Sequence, residues 1–141
     1  MSGNRQFVDT NVLVYAHDVT ARDKHSRARA LVGELWETRQ GCLSVQVLQE
    51  FFVTTTRKLP TPLEASAAAR IIDDLAHWHV HSPAAADVLA AIDIHQRTGA
   101  SFWDAMILRS AKELDCQALH TEDLNSGQEY DGIQVRNPFL A

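Results

Sequence analysis

The feature that most constrains this chain is an alternation. Apolar stretches too short to be helices are each followed by a longer stretch with helical periodicity. The first sets the pattern: Gln6-Phe7-Val8 reads as a strand that stops at Asp9, turns through Thr10 and Asn11, and opens a helix at Val12-Leu13-Val14-Tyr15-Ala16. Cys42-Leu43, His77 to His81, Gln117 to His120 and Ile133 to Val135 read as further strands. Between them, the spacing predicts helices over 22–39 and 45–58, then from Thr61, from Ser82-Pro83 to Gly99, and from Ser101 to about Asp115. Gly41 stands where a helix stop would, Ser44 can cap the helix after it, and Thr61-Pro62-Leu63-Glu64 has the spacing of a capping box. Val88, Ile92 and His95 fall on one stripe of their helix. Strands interleaved with helices predict a three-layer α/β fold with a mainly parallel sheet. With no linker, repeat or low-complexity tract in 141 residues, the expectation is one domain over 1–141.

Several function classes are disfavoured at this point. No apolar run approaches a membrane span. The opening Met1 to Gln6 is polar with a single Arg5, unlike a signal peptide, and a cytoplasmic protein is expected. Cys42 and Cys116 lack metal-type spacing and read as buried reduced thiols. A net charge of −5 argues against simple backbone-driven nucleic-acid binding, unless the acids are concentrated at a cation site that reverses the local field.

Four acids stand out. Asp9 ends the first strand, at the sheet edge where α/β folds build sites; as a mere helix cap it would be redundant with Thr10 and Asn11. Glu50 lies in Val45-Gln46-Val47-Leu48-Gln49-Glu50-Phe51-Phe52-Val53, an apolar setting in which a carboxylate needs a partner, although Gln46 and Gln49 mark a wet edge. Asp104 has capping-box spacing from Ser101 and falls in the first turn of a helix, where the dipole favours its charge. Asp123 follows the strand ending at His120, with Glu122 as an adjacent competitor and a turn residue as its plainer role. Carboxylates gathered on one side of a sheet suit Mg²⁺ or Mn²⁺, which prefer oxygen ligands.

These residues carry a resemblance that covers nearly the whole chain. Phe7-Val8-Asp9-Thr10-Asn11-Val12-Leu13, Leu48-Gln49-Glu50-Phe51, Ser101-Phe102-Trp103-Asp104-Ala105 and Thr121-Glu122-Asp123-Leu124-Asn125-Ser126-Gly127-Gln128 follow in the order found in PIN-domain ribonucleases. With the closing Tyr130-Asp131-Gly132 and Asn137-Pro138-Phe139, the chain most resembles the VapC-type toxins of bacterial toxin–antitoxin pairs. The resemblance implies a PIN-like α/β/α sandwich on a five-stranded, mainly parallel sheet. It implies a catalytic quartet of Asp9, Glu50, Asp104 and Asp123, with Asp9, Asp104 and Asp123 on the metal and Thr10, Asn11, Ser101 and Thr121 in support. It further implies Mg²⁺ or Mn²⁺, endonucleolytic cleavage of RNA, a homodimer and a cognate antitoxin. The rival readings are a PIN nuclease of RNA processing and an inactive PIN fold that only binds RNA or protein.

The remaining features admit plainer readings. Arg22, Lys24, His25, Arg27 and Arg29, with Arg57, Lys58 and Arg109, can line a phosphate groove or form solvated faces. His77, His79 and His81 share one face of the expected strand, but no acid or cysteine accompanies them, and the resemblance implies an ordinary edge strand there. Trp103 can stack on a base or fill core, whereas Trp36 and Trp78 read as core. The Ala- and Leu-rich helix over Glu64 to Ala76 is a candidate dimer surface.

Overall fold

The sheet is built outward from one buried central strand. A computed structural model describes residues 4–140, so Met1 to Gly3, part of the polar opening stretch, lie outside it. Strand β1 (Gln6–Val8) places Phe7 and Val8 on opposite faces, and both are fully buried, so both faces must be covered. The other strands are β2 (Gly41–Ser44), β3 (His79–His81), β4 (Ala118–His120), β5 (Glu129–Tyr130) and β6 (Ile133–Arg136). Their order is β3-β2-β1-β4-β6-β5; the first five run parallel, and β5 pairs antiparallel with β6. The expected five parallel strands are therefore present, with a two-residue antiparallel edge added within the turn-rich stretch before β6.

The helices of the connections are α1 (Thr10–Tyr15), α2 (Asp23–Thr38), α3 (Val45–Arg57), α4 (Ala65–Leu75), α5 (Ala85–Thr98) and α6 (Phe102–Glu113). Helix α1 packs on α2 and α3, α3 on α4, and α5 on α6. From β1 the chain first moves out through β2 to β3. It then returns to the other side of β1 as β4. The gap between the carboxyl ends of β1 and β4 is therefore the topological switch point, where Val8 pairs with His120 and Asp9 and Thr121 follow.

Local signals were overridden where tertiary contacts compete. Helix α4 starts at Ala65 without a side-chain cap, because the Leu63 N–H donates to Thr55 O at 2.9 Å and ties Thr61 to Leu63 back onto α3. Helix α5 starts at Ala85, two residues beyond the Ser82-Pro83 signal, with the Asp87 carboxylate taking the Ala84 N–H. It buries Asp87, Ala91 and Ile94, while Val88, Ile92 and His95 face outward. Gly99 does stop it, at φ 78°. Helix α2 instead ends on Arg39 in a left-handed conformation. Gly41 serves packing: a Cβ there would lie 2.5 Å from the Trp78 ring. Trp78 holds Trp36 edge-on at 5.6 Å, and Trp36 is left 40% exposed rather than buried in the core. Strand β3 begins only at His79, so His77 is not on it. The two cysteines are buried as expected but not isolated: hydrogen bonding to Cys42, then burial, raises the Cys116 pKa.

Candidate functional site

Each acid singled out in the sequence is held by a different element. Asp9, 6% exposed, follows β1 and caps α1; Oδ1 accepts the Thr10 N–H at 2.7 Å and Oδ2 accepts the Thr121 hydroxyl at 2.8 Å. It is thus the cap of α1, and Thr10 is the first helical residue rather than a substitute cap. Thr121, fully buried beyond β4, also accepts the Asp123 N–H at 3.1 Å. One hydroxyl therefore fixes the acids from both central strands. Ser101 accepts the Asp104 N–H at 3.1 Å, which sets the first turn of α6. Glu50, half-buried on α3, accepts the Thr10 hydroxyl at 2.7 Å and so has the partner its setting requires.

These placements converge. Asp9, Asp104 and Asp123 each bring a carboxylate oxygen within 4.8 Å of the others. Together with Glu50, Thr10 and Asn11 they line one cavity of about 610 Å³. The electrostatics show the cost of that gathering. Burial, reinforced by the charges of Asp123 and Asp104, pushes the Asp9 pKa up to about 7 despite its two hydrogen bonds. Burial and the charges of Asp104, Glu122 and Glu50 raise Asp123, while a hydrogen bond from Asn11 opposes them. Among the described residues, the buried Asn11 Oδ1 has no hydrogen-bond donor. Of the described cavity residues only Lys58 is cationic.

Glu122 and Asp123 have different neighbours. Glu122 Oε1 accepts the Tyr15 hydroxyl at 2.7 Å, and Oε2 pairs with Lys24 at 2.9 Å. Lys24 also lies over the rings of Tyr15 and Phe139, so Glu122 belongs to a clasp holding the C-terminal stretch. Asp123 is left to the cavity.

Other sequence-marked residues are elsewhere. Lys24 is committed to Glu122; Arg27 approaches Asp23 at 3.8 Å and donates to Leu140 O. Arg109 does not join a groove: its Nε meets Asp87 at 2.9 Å and a terminal nitrogen meets Glu113 at 2.6 Å. Acids do accompany one of the histidines. His81 Nε2 lies 3.5 Å from Asp87, Nδ1 lies 2.8 Å from the Ser110 hydroxyl, and His81, Asp87 and Glu113 form a second group with metal-compatible spacing. Sequence reading missed Asp87 because its partners come from β3 and α6; the available signal was an acid three residues after a helix cap.

Comparison with known proteins follows the same lines. The family model described as PIN domain matches residues 7–128. No curated protein sequence is significantly similar to the chain. Among solved structures, Mycobacterium tuberculosis VapC20, described as a sarcin–ricin-loop-cleaving toxin, is similar at 22% identity and TM-score 0.65, covering 84% of this chain and 89% of that one. A toxin–antitoxin complex from Klebsiella pneumoniae is similar at 19% identity and TM-score 0.68, covering 94% of this chain and 97% of that one. Both are likenesses of fold.

Proposed function

The chain belongs to the PIN-domain family, and on that premise we propose that it is a metal-dependent endoribonuclease, the toxin of a toxin–antitoxin pair. The single domain is proposed to span 1–141, to work as a homodimer in the cytoplasm and to be silenced by a cognate antitoxin. The fold shared with VapC20 and with the Klebsiella toxin–antitoxin complex supports the toxin reading. Among the described residues, no helix is long and apolar enough to cross a membrane.

The observation that carries the proposal is the uncompensated gathering of Asp9, Asp104 and Asp123. The residues fit a hard divalent cation. The donors are all oxygens, burial beside two other acids raises the Asp9 pKa to about 7, and among the described residues the Asn11 Oδ1 has no donor. Asp9, Asp104 and Asp123 would hold Mg²⁺ or Mn²⁺. Such an ion, when bound, supplies charge stabilisation to a phosphodiester undergoing displacement. Glu50, whose carboxylate accepts the Thr10 hydroxyl, would orient an attacking water and take its proton. Thr121 locks Asp9 and Asp123 in register, and Ser101 fixes the turn that presents Asp104. This displacement does not use the 2′-hydroxyl, so preference for RNA must arise from binding.

The test is cleavage of total RNA by the purified chain with Mg²⁺. Activity that vanishes with EDTA and in Asp9→Asn supports the proposal. Cleavage that survives both, or a parent protein that never cuts, refutes it.

A further inference from the structure

We propose that Trp103 is the platform on which an unpaired nucleobase beside the cleaved phosphate stacks, making it the main affinity determinant at the acidic end of the cavity. The inference rests on the nuclease reading above and adds what holds the substrate there.

Trp103 is 62% exposed, although a tryptophan gains most by burial. It lines the same cavity as the acids and immediately precedes Asp104, with consecutive Cα atoms about 3.8 Å apart. The ring is carried by the first turn of α6, which the Ser101 cap fixes. Phe102 buttresses it edge-on at 5.1 Å, and Gln46 donates to its backbone carbonyl at 3.5 Å. The platform is therefore set before any ligand arrives.

The acidic lining of the cavity favours a non-ionic anchor beside the cation. The cavity presents Asp9, Asp18, Glu50, Asp104 and Asp123 to a polyanion. Its one described cation, Lys58, lies beyond the far end of α3, roughly 18 Å from Gln46 at 1.5 Å per residue. Phosphate attraction to the protein's own described side chains in the cavity therefore contributes little beside the acids. Stacking does not depend on charge and tolerates any base. It also requires the base to be out of a helix, so the ring selects unpaired RNA.

The experiment uses the full chain and a short single-stranded RNA of mixed sequence. Asp9→Asn serves as the background for binding, and the parent protein for cleavage. Trp103→Ala is expected to weaken binding and raise KM by roughly ten- to a hundred-fold, from the usual value of one base–aromatic stack. Trp103→Phe should recover most of the loss, and the melting temperature should not move. RNA should quench tryptophan fluorescence in Asp9→Asn but not in Asp9→Asn/Trp103→Phe. Affinity unchanged within two-fold in Trp103→Ala overturns the inference while leaving the nuclease reading intact. So does a loss confined to antitoxin binding, which would make the ring a protein contact. A parent protein that neither binds nor cuts RNA overturns both.

Discussion

Among the described residues, two clusters of acids have spacing suited to a metal, and they differ in one component. Around Asp87, the carboxylates of Asp87 and Glu113 are bridged by the Arg109 guanidinium, with His81 alongside. Around Asp9, the carboxylates of Asp9, Asp104 and Asp123 have hydroxyls, an amide and backbone N–H groups as neighbours, but no paired cation among the described residues. The Ala84 N–H and then Arg109 hold the Asp87 pKa below the usual carboxylate range, whereas burial drives Asp9 up to about 7. Spacing alone does not separate a structural ion network from a site awaiting a cation. The presence or absence of an internal counter-charge does.

The largest effect that would break this contrast is at Asp9. Asp9→Asn is expected to lower Mg²⁺-dependent RNA cleavage by roughly 10²- to 10³-fold, the range for removing one preorganised electrostatic group. At pH 8 the same variant should melt above the metal-free parent, because a buried charge has been removed. An equally active or less stable variant would mean that the two clusters are alike.

Asp87→Ala should do the reverse. It strands Arg109 and the Ala84 N–H, so urea unfolding should report a loss of about 3 kcal/mol. Cleavage per folded molecule should hold, and a selective loss of activity would give the second cluster a functional part.

A smaller effect sharpens the contrast through pH. The folded Asp9 pKa of about 7 lies above its unfolded value of 3.8. Its stabilisation is therefore fully present below about pH 3.8 and is lost as pH rises through 7. His120 runs the other way: burial lowers it from 6.5 to about 4, so its contribution is present above 6.5 and lost as pH falls. Comparing the parent with Asp9→Asn cancels the His120 part. Because a cation competes with the proton on Asp9, Mg²⁺ should raise the parent melting temperature more at pH 8 than at pH 6, and hardly in Asp9→Asn. An equal shift at both pH values would detach the cation from Asp9.

The smallest expected effect is at Glu113. It is partly exposed at the rim of the Arg109 pair, so Glu113→Gln should change stability by about 0.5 kcal/mol or less in the same unfolding measurement. A larger loss would show that the second cluster depends on both of its acids.

Much of the candidate site's geometry was legible because the chain announces it locally. A strand that stops at Asp9, a Ser101 cap three residues before Asp104, and a carboxylate at Glu50 in an apolar helix are patterns of neighbouring residues, and local geometry follows from them. The same logic went astray where a distant segment competed. The capping signal at Thr61 gave way to a backbone tie onto α3, and Gly41 answered to Trp78 rather than to helix α2. The outward stripe of Val88 and Ile92 shows the limit of periodicity, which finds a face but not the side from which its partners come.

The sequence by itself determined the alternation of elements, and with it the sheet edge at which Asp9 and Asp123 emerge, since strand and helix periods are properties of adjacent residues. Tertiary structure decided which acids remained free. Tyr15 and Lys24 claimed Glu122, and Arg109 claimed Asp87 and Glu113. Whether a carboxylate is compensated depends on charges brought within a few ångströms by folding, and separation along the chain carries no record of that.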